Sequence, residues 1–253
     1  KALVRAGVDL LADSRLENLK VIQEMRTGLP LMLLRIPAPS QADEVVELAD
    51  ISLNSSLFTL QKLSDAAGRV GRDHQVILMV DLGDLREGVW PDHAAGVLQE
   101  AFSLPHLEVV GLGSNQACYG GVIPTSEKMQ ALIDLRDQCQ SIFGRELPVL
   151  SGGNSANLPL LVRGEMPRGI NLLRVGESIQ LGRNVIDRSP FPNTRQDTYR
   201  LVAEVIELEQ KPSLPIGEIG QDAFGKLPHF IDRGIRRRAI CNIGRQDVVI
   251  DNL

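Results

Sequence analysis

A chain of 253 residues with 43% apolar and 23% charged side chains has the material for one large core and an ordinary solvated surface. Its net charge of −5 argues against general affinity for nucleic acid or anionic membranes, and no apolar run approaches the roughly 20 residues that span a bilayer. Three scattered cysteines, Cys118, Cys139 and Cys241, argue against a disulfide framework and for a reducing, cytoplasmic compartment. The first residue is not methionine, so a removed leader stays open. The histidines His74, His93, His106 and His229 share no ligand spacing and read as surface residues, and no metal site is expected.

In chain order, Lys1–Ala6 reads as the tail of an amphipathic helix stopped at Gly7. Val8–Ala12 reads as a strand, and Asp13 or Ser14 caps a helix running to about Arg26. Strands are expected at Pro30–Ile36, Ile51–Leu53, Gln75–Val80 and Leu107–Leu112. Between and after them come helices at Ser40–Leu48, Ser55–Val70, Pro91–Phe102 and Thr125–Phe143. Two units then follow with one plan. Pro148–Leu150 is a strand that stops at the turn Ser151–Ala156. Ile170–Val175 is a strand that stops at Arg174–Ser178. Each turn leads into a helix.

That gives seven strands alternating with helices, the pattern of an α/β barrel, which closes with eight. The chain opens on a helix tail with no strand before it, so one strand and most of one helix are expected upstream of Lys1. An open doubly wound sheet is the alternative, but it normally shows one glycine-rich switch-point loop rather than two adjacent ones. After Arg183 the pattern changes. Ser189–Asn193 reads as a linker, Leu201–Leu208 as a strand, and Arg236–Arg238 as a solvated basic edge. The run Val248-Val249-Ile250 reads as the middle of a strand. The expected organisation is a barrel over residues 1–190, lacking its first strand, and part of a β-rich domain over residues 191–253.

Adjacent strand–turn–helix units at the end of a barrel are where this fold builds phosphate sites. Glycines let the backbone approach an anion, unpaired N–H groups point at it, and Ser155 adds a hydroxyl. Arg174 would place a fixed cation at the barrel mouth. Two ordinary loops with turn glycines and a capping serine explain the same residues equally well.

Seven stretches, in order along nearly the whole chain, resemble the alanine racemase superfamily of pyridoxal-phosphate (PLP) enzymes, and within it the branch of ornithine racemase and related amino-acid racemases. They are LLADSRLENL (10–19), MLLRIP (32–37), VDLGDLREGV (80–89), GLGSNQACYGG (111–121), SGGNSAN (151–157), NLLRVGESIQLG (171–182) and GEIGQDAFG (217–225). The resemblance implies that Ser155 binds the cofactor phosphate, with backbone N–H groups at Gly176 and Glu177. It implies that Arg174 faces the pyridine nitrogen. Arg86 matches an arginine near the cofactor oxygen and the substrate carboxylate, although a loop arginine paired with Asp84 or Glu87 is the simpler reading. Asn115 stands where alanine racemases place a histidine against the ring. Asp222 stands where they place the partner subunit's tyrosine, the second base, and could serve as a base or read a cationic substrate; Cys118 and Tyr119 lie on the same expected face.

The Schiff-base lysine of the family lies on the first barrel strand, hence upstream of residue 1; Lys20, Lys62 and Lys128 sit on outer helices. The implied activity is interconversion of the L and D forms of an amino acid, ornithine or another basic one, by a homodimer whose partner covers the barrel mouth. A non-catalytic PLP carrier is the rival, although carriers are a lone barrel and this chain continues beyond one. A decarboxylase on the same scaffold is a further rival, and a metal-assisted aldolase or dehydratase would need a metal cluster that the sequence lacks.

Overall fold

Local sequence signals set each element, and burial decides which face it turns inward. The computed structural model describes residues 1–249, which fall into two compact units, Lys1–Thr198 and the described residues from Tyr199 onward. In the first unit the strands are β1 (Leu11–Asp13), β2 (Leu31–Leu33), β3 (Ile51–Asn54), β4 (His74–Met79), β5 (Leu107–Gly113), β6 (Val149–Asn154) and β7 (Leu172–Arg174). They lie side by side in chain order and every neighbouring pair is parallel. Parallel order requires each connection to carry the chain back to the same end, which helices do. Those helices are α2 (Leu16–Glu24), α3 (Ala42–Leu48), α4 (Leu57–Val70), α5 (Pro91–Ala101), α6 (Ser126–Phe143) and α7 (Leu158–Val162); α1 (Ala2–Arg5) precedes β1 and α8 (Glu177–Leu181) follows β7.

The sheet has seven strands where the closed barrel has eight, and β1 and β7 are its outer strands. Their residues are only part-buried, whereas all three residues of β2 are buried. Strand parity sorts the core into two layers. Met32, Leu53, Ile77, Met79 and Val110 pack with each other inside the curved sheet. Leu31, Leu33, Val76, Leu78 and Leu112 face outward onto Leu60, Leu63, Leu98 and Leu132 of the helices. Apolar residues on both faces explain why these strands read as short continuous runs rather than alternating ones.

Several sequence expectations shift. Ser151–Asn154, read as a turn, is the second half of β6. The first helix of the barrel starts at Leu16, because the Asp13 carboxylate is used to bond Arg15 N–H (2.8 Å) and Asn18 (3.0 Å) ahead of it. Residues 183–198 fold back on α8: Phe191 N–H donates to Gly182 O (2.8 Å), and Arg183 bridges Pro190. In the second unit β8 (Val205–Pro212) and β9 (Ile235–Cys241) form an antiparallel hairpin, with Arg236–Arg238 inside β9 opposite Lys211, Gln210 and Glu209. Charges directly across the ladder explain why this strand lacks an apolar signature. Val248 N–H closes a turn on Gly244 O (3.1 Å), and Ile250 lies outside the described residues.

The reading of all four histidines as surface residues is corrected at His74, which is fully buried. Its Nε2 meets Ser52 Oγ at 2.8 Å. Burial, with the Arg72 guanidinium adding to it, pulls its pKa from 6.5 down to about 4. Between those two values the unfolded chain binds a proton that the folded one does not, so this contribution to stability is intact above pH 6.5 and is lost as pH falls toward 4. The loss reaches about 3 kcal/mol. Urea unfolding at pH 7 and pH 4.5 should show it, and His74→Gln should flatten that part of the slope. An unchanged pH dependence in the variant would assign acid sensitivity to the carboxylates instead.

Candidate functional site

Parallel strands deliver all their following loops to one end of the barrel. Arg174, the last residue of β7, reaches from there across β6 to the loop after β5. Its Nη1 donates to Ser151 Oγ, and its Nη2 donates to the Ser114 carbonyl (3.0 Å) and to Asn115 Oδ1 (3.4 Å). Asn115 Oδ1 also accepts from Asn154 Nδ2 (2.9 Å), and Asn154 Nδ2 donates to Gln116 O (2.8 Å). The Asn115 amide is therefore turned with its oxygen toward the guanidinium. All three acceptors of Arg174 are uncharged, so its charge is held but not neutralised by its hydrogen bonds. Burial lowers its pKa to about 10; Glu87 opposes that shift and Arg86 reinforces it. Arg174 remains a cation at neutral pH.

One turn further along, Asn154 Oδ1 accepts from Ala156 N–H (2.7 Å) and caps the short 3₁₀ turn Ser155–Asn157. The turn buries Ser155, whose Oγ receives the N–H groups of Gly176 (3.2 Å) and Ser178 (3.3 Å). A hydroxyl and two N–H groups thus converge between β6 and the start of α8. A Cβ at Gly176 would meet nothing within 4 Å, so open space lies beside its N–H. This donor set suits a phosphate, which offers several acceptor oxygens where Ser155 offers one. Glu177 turns its carboxylate outward to Arg188.

The loop after β4 supplies the third part. Asp81 Oδ1 accepts from Gly83 N–H (2.8 Å) and Leu85 N–H (3.2 Å). Arg86 Nη1 donates to Glu87 Oε1 (2.8 Å), the pairing named as the simpler reading of Arg86. Burial raises the pKa of Glu87, against the pull of Arg86. The carboxylate of Asp84, fully buried, accepts from Val122 N–H (2.9 Å) and Cys118 N–H (3.3 Å), binding this loop to the one after β5.

Of the residues singled out in the sequence, the first unit brings together Ser155, Gly176, Arg174 and Asn115, and sets Arg86 on the neighbouring loop. Asp222 belongs to the second unit. There its Oδ1 accepts from Phe224 N–H (2.8 Å) and Lys226 N–H (2.9 Å), which hold its carboxyl below the usual range. Ser151, Asn154, Ser178 and Asp84 were missed as working residues; the SGGNS run contained two of them, but as turn residues.

The residues present fit PLP at two of its ends: the Ser155 cradle would suit its phosphate, and Arg174, a donor lacking a charged partner within hydrogen-bond distance, would suit its ring nitrogen. A covalent amine is not offered by the strands described: Lys62 lies over the Phe58 ring (5.5 Å), Lys128 Nζ donates to Leu82 O (2.7 Å), and Lys20 is on the exposed side of α2.

Residues 1–183 match the family model for the alanine racemase N-terminal domain. The chain is 46% identical over 254 residues to ornithine racemase of Acetoanaerobium sticklandii, covering 100% of this chain and 71% of that one. It is 40% identical over 250 residues to lysine racemase of Thermotoga maritima, covering 98% and 69%. Among solved structures, PipY of Synechococcus elongatus with PLP bound matches with a TM-score of 0.57 at 23% identity, over 69% of this chain and 84% of that one. Alanine racemase of Clostridium difficile matches with a TM-score of 0.59 at 16% identity, over 96% and 61%. Geometry, family model and full-length relatives agree, and the chain belongs to the alanine racemase family.

Proposed function

We propose that this chain acts as a PLP-dependent racemase of basic amino acids, with ornithine its first candidate substrate. The observation that carries the reading is the pairing, at one end of the adjacent strands β6 and β7, of an anion cradle at Ser155 with the guanidinium of Arg174, whose hydrogen-bond acceptors are all uncharged. The 46% and 40% identities to an ornithine and a lysine racemase support the substrate class.

Bound in this site, PLP supplies an electron sink that acidifies the Cα–H of an attached amino acid. Ser155 Oγ, Gly176 N–H and Ser178 N–H would hold its phosphate, and Arg174 would face its ring nitrogen. A guanidinium cannot take up a further proton, so Arg174 would leave that nitrogen unprotonated and favour return of the proton to Cα over cleavage of other bonds. Arg86 is placed to pair with the substrate α-carboxylate, for which a guanidinium fork is well shaped.

Racemisation needs a base on each side of Cα. The family's lysine serves one side. Asp222 is our candidate for the other, with Tyr119 and Cys118, both exposed on the loop after β5, as alternatives. The N–H bonds from Lys226 and Phe224 that lower the Asp222 pKa keep it ionised but make it a weaker base than an ordinary carboxylate. We place the protein in the cytoplasm as a homodimer, supported by its three free cysteines and by the family's use of a partner subunit to cover the barrel mouth. Among the described residues no helix is long and apolar enough to cross a membrane.

The test is incubation of the full-length protein with PLP and L-ornithine, then L-lysine, followed by chiral chromatography. D-ornithine or D-lysine is the expected product. Bound cofactor with no racemisation of either, or of alanine and serine, would move the assignment to a PLP carrier.

A further inference from the structure

We infer that Glu87 is a positioning residue for substrate recognition, holding Arg86 in the orientation that receives the α-carboxylate. The inference rests on the racemase reading for the identity of the carboxylate but not for the geometry.

Arg86 and Glu87 are neighbours in the chain, so their side chains would ordinarily point to different sides of the loop. Here they meet at 2.8 Å between Arg86 Nη1 and Glu87 Oε1. The two are unequally placed. The Arg86 side chain is 45% exposed and the Glu87 side chain 17%. A surface pair that formed only for its own sake would contribute little and would leave both groups in water. Burying the carboxylate costs more, and the raised pKa of Glu87 reports that cost. The arrangement makes sense if the carboxylate is the anchor and the guanidinium the working end, with its remaining N–H donors turned to solvent and to ligand.

The backbone under Glu87 is fixed. Asp81 N–H donates to Val89 O (2.9 Å) and Val89 N–H to Met79 O (2.8 Å), closing the loop at its base. Gly88 has φ +139, and a Cβ there would lie 2.4 Å from Asp81 N. No other residue fits next to Glu87, so the loop cannot slide and the anchor has one direction. The charged groups facing Glu87 are Arg86 first, then Arg174 and Asp84. Arg86 and Arg174 therefore repel each other across the mouth, the part-buried Glu87 carboxylate attracts both, and without it Arg86 would be driven away from Arg174 and out toward water.

The experiment compares Glu87→Gln and Glu87→Ala in the full-length holoenzyme. Gln keeps an oxygen that accepts from Arg86; Ala does not. Four quantities are read: KM and kcat for ornithine, the calorimetric Kd for 5-aminopentanoate, and cofactor affinity by absorbance titration. The probe 5-aminopentanoate carries the carboxylate and the distal ammonium but lacks an α-amine. Glu87→Ala should raise both KM and Kd by about tenfold with kcat within roughly twofold, the signature of lost binding rather than lost chemistry. Glu87→Gln should stay within roughly threefold of the parent, and cofactor affinity should be unchanged in both. Equal losses in Gln and Ala would show that Glu87 reads the substrate's ammonium and would overturn the inference. So would unchanged KM and Kd in Ala, or cofactor affinity falling in step with them. If the parent racemises nothing while the probe Kd follows the stated pattern, the racemase reading fails and the role of Glu87 stands.

Discussion

Arg174→Met should cut racemisation by about a hundredfold or more, the scale of loss when a preorganised charge is removed from a reacting centre. Methionine is close in length and apolar, so the chain can still pack. The guanidinium it replaces donates to Ser151, Ser114 and Asn115, each an uncharged acceptor. Losing those donors leaves acceptors that cost about 1–3 kcal/mol each if they stay dry. Relief of a desolvated cation offsets part of that, so stability should change less than activity. Arg174→Lys separates charge from shape. An ammonium keeps the cation but cannot bridge three acceptors on β6 and the loop after β5, and should recover only part of the rate. Rates come from chiral chromatography. The absorbance of bound PLP provides the second reading, because the partner of the ring nitrogen changes. Parent-like kcat in the methionine variant would remove Arg174 from the chemistry.

Asp84→Ala should destabilise the barrel by about 2–4 kcal/mol, the cost of emptying a fully buried carboxylate position and leaving two part-buried N–H groups without their acceptor. Its carboxylate is fully buried and accepts from Val122 and Cys118, residues more than thirty positions away in the chain. For a unit of this size that is a fall in Tm of roughly 5–15 °C. The loops it joins leave little room for repair: a Cβ at Gly120 would lie 2.7 Å from the Asp84 carbonyl oxygen. Asp84→Asn keeps an oxygen for Val122 N–H and should cost less than half as much. Activity should fall in the alanine variant as well, since the loop that Asp84 holds also carries Asn115 to Arg174. A calorimetric Tm equal to the parent's would mean that water satisfies both N–H groups.

The helices were the most legible part of the chain. α4 and α6 have long apolar periodicity, and α6 is announced by Thr125, whose Oγ1 accepts from Lys128 N–H (3.3 Å). Strand ends were less legible. Ser151-Gly152-Gly153-Asn154 looks like a turn by composition, yet it pairs with β7 at Ser151, Gly153 and Asn154, because small residues are what a crowded barrel lip accepts. His74 looked like an edge residue because nothing in its neighbourhood in the chain announces Ser52 as a partner 22 positions earlier. The site was legible where chemistry and position coincide, at Ser155 and Arg174. It was illegible where a role depends on a partner far along the chain, as for Asp84 with Val122 and Asn154 with Asn115.

The placement of Ser151 and Ser155 on one continuous piece of chain has a consequence for ligand choice. β6 and its capped turn act as a ruler: one mark, Ser151, holds Arg174, the other, Ser155, holds the anion cradle, and three residues separate them. Loops that grow or shrink elsewhere on the barrel leave that interval untouched. A one-residue deletion between Gly152 and Asn154 would shorten it by roughly 3 Å and also invert the facing of every later side chain. The two halves of the cradle would then measure a different molecule. On the PLP reading, the interval along β6 would match the separation of the ligand's phosphate and its ring nitrogen.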